Sequence, residues 1–263
     1  MSHKDELGGR MKTYEAVSQV TLPRRSYVII RVDGRSFHTL LKHEGKPFDP
    51  RVTETMEGVA EALCREIAGA KFAYQQSDEI SILLTDFESI QTSPWFGNNV
   101  QKLASVAASC ATAAFNHLLP FGDELATFDG RAFVIPDPVE VANYFVWRQK
   151  DAIRNAVSQA AHYYFTNREL HGLNVSQQIS KLFLNAGVSF HSDFPARNRF
   201  GVVAYKTDVP RFDTGLVPVE WQRGANVQPV RRWVTSEATI FVADNEGFLA
   251  DQIPEVPRLW DED

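Results

Sequence analysis

The sequence predicts an α+β fold of the ferredoxin-like kind, and three observations predict it. Apolar, β-branched or aromatic runs at Ser26 to Val32, Lys71 to Gln75, Ile80 to Thr85 and Ala132 to Ile135 read as strands. An amphipathic stretch lies between the first two runs and another between the last two. The resulting order, strand, helix, strand, strand, helix, strand, is that of a βαββαβ unit.

The first run, within "YVIIRVDGRSFH", alternates poorly, as a central strand covered on both faces does. In "DPRVTETMEGVAEALCREIAG", Asp49 is placed to cap a helix and Pro50 to open it. Val52, Met56, Val59, Leu63 and Ile67 then recur every three or four residues, and Gly69 is the predicted stop. In "YQQSDEISILL" a tight turn with Ser77 and Asp78 joins the two middle strands. The second helix spans about Val100 to Leu118, with Ala104, Ala107, Ala111 and Ala114 forming a small-residue stripe suited to close packing on a sheet. Pro136 and Pro138 end the last strand.

Beyond that point Asp137 caps a long helical stretch, too long for a surface helix without a bend or extensive packing. A further helix in "NVSQQISKLFLNAG" is capped by Asn174 or Ser176 and stopped at Gly187. "FGVVAYK" and "WVTSEATIFV" read as strands of a small β-rich part. The expected division is residues 1–137 as the βαββαβ domain and 138–263 as a helical and β-rich extension packed on it.

Right-handed crossovers put the first and third strands of such a unit side by side and antiparallel at its centre. Asp33 then leaves the first strand at the sheet edge where Asp78 and Glu79 enter the third, so the acids are predicted to meet. Taken singly, Asp78 as a hairpin-turn residue and Asp33 as a loop cap is an equally good structural reading.

The chain has 263 residues, is 44% hydrophobic and carries a formal net charge of −6. That balance excludes a uniformly basic nucleic-acid-binding surface but leaves room for a local basic groove. Cations gather at Arg24, Arg25, Arg31 and Arg35, at Arg148, Lys150 and Arg154, and at Arg223, Arg231 and Arg232, while "LWDED" is an acidic end. No apolar run approaches the roughly 20 residues of a membrane span and no apolar signal segment follows the N-terminus, so a cytoplasmic protein without a membrane partner is expected. Cys64 and Cys110 lie in apolar helical patterns and read as reduced core thiols.

Paired carboxylates at a sheet edge suit Mg²⁺, a hard cation that takes oxygen ligands and substrate phosphates. Asp33 and Asp78 are the candidate ligands of two such ions, and the Gly34 carbonyl is a further oxygen at a residue whose missing side chain lets a triphosphate approach. Glu79 either holds the local network or stands outside the metal's ligands. Arg31, Arg35, Lys42 and Lys46 are nearby in sequence. There is no GxxxxGK[S/T] loop and no GxGxxG fingerprint after a strand, which argues against P-loop and Rossmann nucleotide binding. His38 and His43 lack a helical spacing around an acid and read as loop or packing histidines. Ser105 and Ser109 read as packing residues rather than nucleophiles.

The segments "VIIRVDGRSFHTL", "KPFD", "AYQQSDEISILL", "FDGRAFVIP" and "WRQKDAIRNA", in that order and spacing, resemble the tRNA-His guanylyltransferase family and its bacterial and archaeal Thg1-like relatives. The resemblance covers roughly Asp5 to Leu184. It implies a polymerase palm that adds nucleotides in the 3′-to-5′ direction to the 5′ end of tRNA, using two Mg²⁺ ions with ATP, GTP or other nucleoside triphosphates, in a homotetramer. It matches Asp33 and Asp78 to the metal-binding catalytic carboxylates, Gly34 to a backbone ligand of metal and nucleotide, and Glu79 to the acid that follows, counted with the catalytic residues. Arg31, Arg35, Ser36, Phe37, His38, Lys46, Ser77 and Lys102 fall with nucleotide or phosphate binding. Arg148, Asp151, Arg154 and Asn155 fall with tRNA binding or structural support.

Where eukaryotic members carry His-Ile-Asn-Asn-Leu-Tyr-Asn after the match to Asp151, this chain has "AIRNAVS", keeping Ile153 and Asn155. That favours templated 5′-end repair of truncated tRNA over strict guanylylation of tRNA-His. The implied route is 5′ adenylylation followed by displacement of AMP. A nucleotidyl-cyclase-like enzyme and a noncatalytic RNA-binding palm are the alternatives.

Overall fold

The computed structural model describes residues 3–42, 44–121, 124–210, 229–243 and 246–257. His43, Arg223 and the acidic "LWDED" end lie outside the described residues. The elements in order are α1 (His3–Ala16), β1 (Tyr27–Gly34), α2 (Phe37–Leu40), α3 (Pro50–Glu66), β2 (Ala70–Gln76), β3 (Glu79–Leu84) and a short 3-10 turn, Trp95–Asn98. There follow α4 (Val100–Leu118), β4 (Phe128–Ile135), α5 (Pro138–Tyr164), α6 (Asn167–Leu170), α7 (Val175–Ala186) and α8 (Ala196–Phe200). The last described elements are β5 (Val202–Pro210), β6 (Pro229–Glu237) and α9 (Phe248–Gln252).

Local signals act where the sequence places them. Asp49 caps α3, its carboxylate accepting from the Arg51 amide at 2.9 Å, ahead of Pro50. Asp137 accepts from the Glu140 amide at the start of α5, and Asn174 forms a capping box with Gln177 at the start of α7. Gly187, at φ 69°, closes α7 with the Val188 amide donating back to the Leu182 carbonyl at 3.1 Å. α1 was not anticipated; its described side chains are exposed, so no apolar face marks it.

The sheet has six strands in the order β4-β1-β3-β2-β5-β6. The central β1–β3 pair is antiparallel, as the ferredoxin-like order requires, with Asp33 opposite Glu79. β1 also pairs with β4, placing Asp33 opposite Asp129. β5 and β6 continue the same sheet from β2, with Phe72 opposite Tyr205.

Alternate residues of the strands serve two cores. Val28, Ile30 and Val32 pack with α3 and α4. Tyr27, Ile29, Phe72 and Tyr74 pack with Phe145 and neighbouring residues of α5 on the other face. α5 has 27 residues without a break, and packing accounts for its length: its first half covers the sheet and its second half joins Leu182 and Phe190 in a third cluster. Cys64 is buried and Cys110 half-buried, and both are free thiols. Among the described residues no helix is long and apolar enough to cross a membrane.

Candidate active site

The site forms where β1 ends and β3 begins. The Gly34 amide donates to the Asp78 carbonyl at 2.9 Å, tying the two strand ends together. A side chain at Gly34 would bring a Cβ within 2.8 Å of the Asp78 Cβ and closer still to the Phe37 ring, so only glycine allows this approach. Ser77, in the left-handed conformation at φ 48°, turns the chain so that Asp78 stands beside Asp33.

Burial and neighbouring carboxylates raise the protonation of both acids. Asp78 is pushed up to about 6, by burial first and by the Asp33 charge second, with the Ser77 side-chain hydrogen bond opposing. Asp33 is also raised, by burial and by Asp129, against the pull of Arg31, Arg131 and Arg148. A partly desolvated carboxylate pair fits a divalent cation, which would relieve both effects. The donors are oxygens, and among the described residues no group of three His, Cys, Asp or Glu side chains converges as a metal cage does. That set fits Mg²⁺, which keeps much of its water and binds through one or two carboxylates plus substrate phosphates.

Glu79 has a different environment. Its carboxylate receives Arg148 Nε at 2.8 Å and Nη2 at 2.5 Å, a bidentate pair in which both residues are buried, and Arg31 Nε stands 3.9 Å away. Burial raises the Glu79 carboxyl and the Arg148 hydrogen bonds oppose that rise. Glu79 thus fastens β3 to α5 and holds Arg148 beside the acids, a positioning geometry rather than an open carboxylate. Arg148 also meets Asp151 at 3.3 Å, and Asp151 in turn pairs with Arg154.

A cavity of about 360 Å³ opens on the Asp78 side. That is within the range of small-molecule sites. Its walls bring together the predicted Phe37, His38, Lys46, Ser77, Asp78 and Asn155. Phe37 is mainly a core residue, 3% exposed and edge-on to Phe115 and Phe128 at 5.1 Å each. Lys46 Nζ donates to the Leu41 carbonyl at 3.1 Å, and His38 Nε2 lies 3.1 Å from the Thr39 hydroxyl. Arg35 and Ser36 occupy the exposed turn after β1, outside the cavity wall. Lys102 is on the first turn of α4, its Nζ 5.9 Å from the Phe96 ring, outside the cavity wall. Arg24 and Arg25 serve elsewhere: the Arg24 guanidinium and the Arg25 backbone amide donate to Asp86, and the Arg25 guanidinium donates to the Pro257 carbonyl at 2.8 Å.

Sequence reasoning missed several residues of the site. Thr53, Gln75, Arg197 and Asn198 line the cavity, Asn198 donating to Thr53 at 3.2 Å and Arg197 paired with Glu57 at 3.0 Å. These come from α3, β2 and α8 and carry no shared motif. Asp129 had a signal: Asp-Gly-Arg occurs at 33–35 and again at 129–131, and β1–β4 pairing sets the two aspartates face to face.

Comparison with known proteins bears on this arrangement. The family described as tRNAHis guanylyltransferase matches residues 8–136. The solved structure of a bacterial tRNA(His) guanylyltransferase (Thg1)-like protein in complex with ATP is 39% identical, covering 89% of this chain and 93% of that one, with a TM-score of 0.77. The structure described as the bacterial Thg1-like protein with GTP has the same identity and coverage and a TM-score of 0.73. A probable tRNA(His) guanylyltransferase of Dictyostelium discoideum is 28% identical over 227 residues, 77% of this chain and 86% of the relative.

Proposed function

The chain belongs to the tRNA(His) guanylyltransferase family of nucleotidyltransferases, and from that membership we propose that it extends the 5′ end of tRNA in the 3′-to-5′ direction, restoring missing nucleotides by templating. The observation that carries the reading is the carboxylate pair of Asp33 and Asp78, with Asp78 in the wall of a cavity of about 360 Å³.

Asp33 and Asp78, with the Gly34 backbone, are the residues that would hold Mg²⁺. Divalent ions at such a pair activate an attacking oxygen and neutralise a leaving pyrophosphate. The cavity seats a nucleoside triphosphate, ATP or GTP being what the bacterial relative's two structures hold. His38, Lys46 and Ser77 stand where its phosphates approach Asp78. An oxygen of the tRNA 5′-monophosphate attacks the α-phosphorus of ATP, and pyrophosphate leaves. The 3′-hydroxyl of the next nucleoside triphosphate then attacks the capped 5′-phosphate, and AMP leaves. A tRNA that already bears a 5′-triphosphate enters at the second step, with pyrophosphate in place of AMP as the leaving group. Glu79 and Arg148 keep the strand ends and α5 in register while substrates exchange.

The general repair reading is favoured over strict guanylylation by Ala152, Arg154, Ala156, Val157 and Ser158, which replace five of seven residues of the eukaryotic run. The proposal includes a homotetramer, testable by light scattering, and a cytoplasmic location, testable by cell fractionation. The direct test incubates truncated tRNA, labelled at an internal phosphate, with Mg²⁺ and each nucleoside triphosphate. The expected result is stepwise elongation that requires ATP activation for monophosphorylated ends. No elongation with any triphosphate, together with cyclic nucleotide formation, would replace this reading with a cyclase.

A further inference from the structure

Three large aromatic side chains of α5, Trp147, Tyr163 and Tyr164, belong to none of the three cores, and of these Trp147 is the one beside the acidic edge. Trp147 is 54% exposed, yet its ring is held from the side. The Tyr144 ring lies 5.9 Å away at 60°, and Arg148 Cζ sits 4.6 Å from the Trp147 centroid. Both neighbours are themselves anchored. Tyr144 shares a 2.9 Å hydrogen bond with Ser81 of β3 and packs on Phe133 of β4, and Arg148 is fixed to Glu79, opposite Asp33. The indole is therefore a rigid apolar plane, joined through two residues to the acidic edge, with about half its surface open.

Its surroundings say what fits there. Lys150 and Arg154 follow on α5 at i+3 and i+7, both exposed, and Arg131 lies on β4 two residues nearer the acids than Phe133. Acidic side chains are also present: Asp129, 3.5 Å from Arg131, and Asp151, paired with Arg148 and Arg154. The cavity lies on the Asp78 side, lined from α5 by Ala152, Asn155, Ala156 and Gln159, one or more turns beyond Trp147. An anionic chain with a flat terminal base matches this order of surfaces: plane, cations, acids.

We infer that Trp147 is the platform on which the terminal base at the 5′ end of the RNA acceptor stacks, setting that nucleotide's phosphate toward Asp33 while the triphosphate occupies the cavity. The inference rests on the nucleotidyl-transfer reading above. Stacking is the recognition mode such a repair reaction needs, because every truncation ends in a different base and every base has a π-face, whereas hydrogen-bond readout would select one. Arg154 and Lys150 are placed to accompany the backbone.

The test compares wild type, Trp147→Phe and Trp147→Leu, with thermal melts confirming that each folds. The probe is a 5′-truncated, 5′-monophosphorylated tRNA transcript, titrated by intrinsic fluorescence and used in steady-state extension. Trp147→Leu is expected to weaken tRNA binding about tenfold or more, with KM for ATP within about twofold. Trp147→Phe should recover most of that affinity, since a phenyl ring also stacks. The chain has five tryptophans, so the quench of indole fluorescence on tRNA binding should be smaller in Trp147→Phe than in wild type by the Trp147 share. Unchanged tRNA affinity in Trp147→Leu, or a quench undiminished in Trp147→Phe, overturns the inference. So does a result in which Trp147→Leu alters only the oligomeric mass, which would mean a second copy covers the ring. If wild type binds tRNA through Trp147 yet extends no end, the transfer reading fails and the platform stands; extension with unaltered affinity in Trp147→Leu has the opposite meaning.

Discussion

Arg148→Met tests how the acidic edge is held. Arg148 is 6% and Glu79 5% exposed, and they meet through bonds of 2.8 and 2.5 Å. Removing the guanidinium strands a carboxylate in the interior, and breaking a buried pair from one side costs about 3–5 kcal/mol. Against a typical domain stability of about 5–15 kcal/mol, that is a loss no melt could miss. The sign with pH follows from the same geometry. Burial already raises the Glu79 carboxyl and Arg148 restrains it, so in the variant its folded pKa rises further above the unfolded value. A raised carboxylate destabilises the fold above that pKa, and protonation removes the penalty, so the cost shrinks as pH falls through it. Replacing Glu79 as well, as Glu79→Leu with Arg148→Met, removes both charges and should recover much of the loss. Urea denaturation of wild type, both single variants and the double at pH 8 and pH 5 measures each quantity. A cost below about 1 kcal/mol at pH 8, no change with pH, or single costs that simply add in the double variant would refute the reasoning.

Asp78→Asn should stabilise the metal-free protein above pH 6: with Asp78 pushed up to about 6, the wild-type fold loses stability as pH rises from about 4 to 6, by about 2–3 kcal/mol. Mg²⁺ should raise the wild-type melting temperature and leave the Asp78→Asn melt unmoved, and extension should vanish in the variant. Gly34→Ala places a methyl against Phe37 and Asp78, and a displacement of about 1 Å at reacting groups lowers turnover by about 10²-fold; single-turnover rates on folded variant protein check this. Asp49→Ala removes the α3 cap and should cost about 1–2 kcal/mol at pH 7. The Arg51 and Gly45 hydrogen bonds hold the Asp49 carboxyl well below the usual range, so this stability is present above the unfolded pKa and is lost as pH falls through the lowered one; chemical denaturation of wild type and Asp49→Ala at pH 7 and below pH 4 shows whether their difference closes.

The parts of the fold written in local chemistry were legible. Asp49, Asp137, Asn174 and Gly187 mark helix ends by backbone requirements that a few neighbouring residues satisfy. The meeting of Asp33 and Asp78 was legible because chain handedness fixes which strands of a βαββαβ unit are adjacent. The pairing of β2 with β5 was not, since Phe72 and Tyr205 meet across a long intervening chain and neither carries a signal for the other. The Glu79–Arg148 pair, 69 residues apart, depends on α5 crossing the sheet face.

Templated addition is tested most directly by changing the template. A series of 5′-truncated tRNAs differing only in the base opposite the missing position is incubated with all four nucleoside triphosphates and Mg²⁺, and the added nucleotide is identified. The Watson–Crick complement should be added in every case, with none added by Asp33→Asn or Asp78→Asn. Addition of guanylate whatever base stands opposite, or equal addition by either variant, would contradict the account.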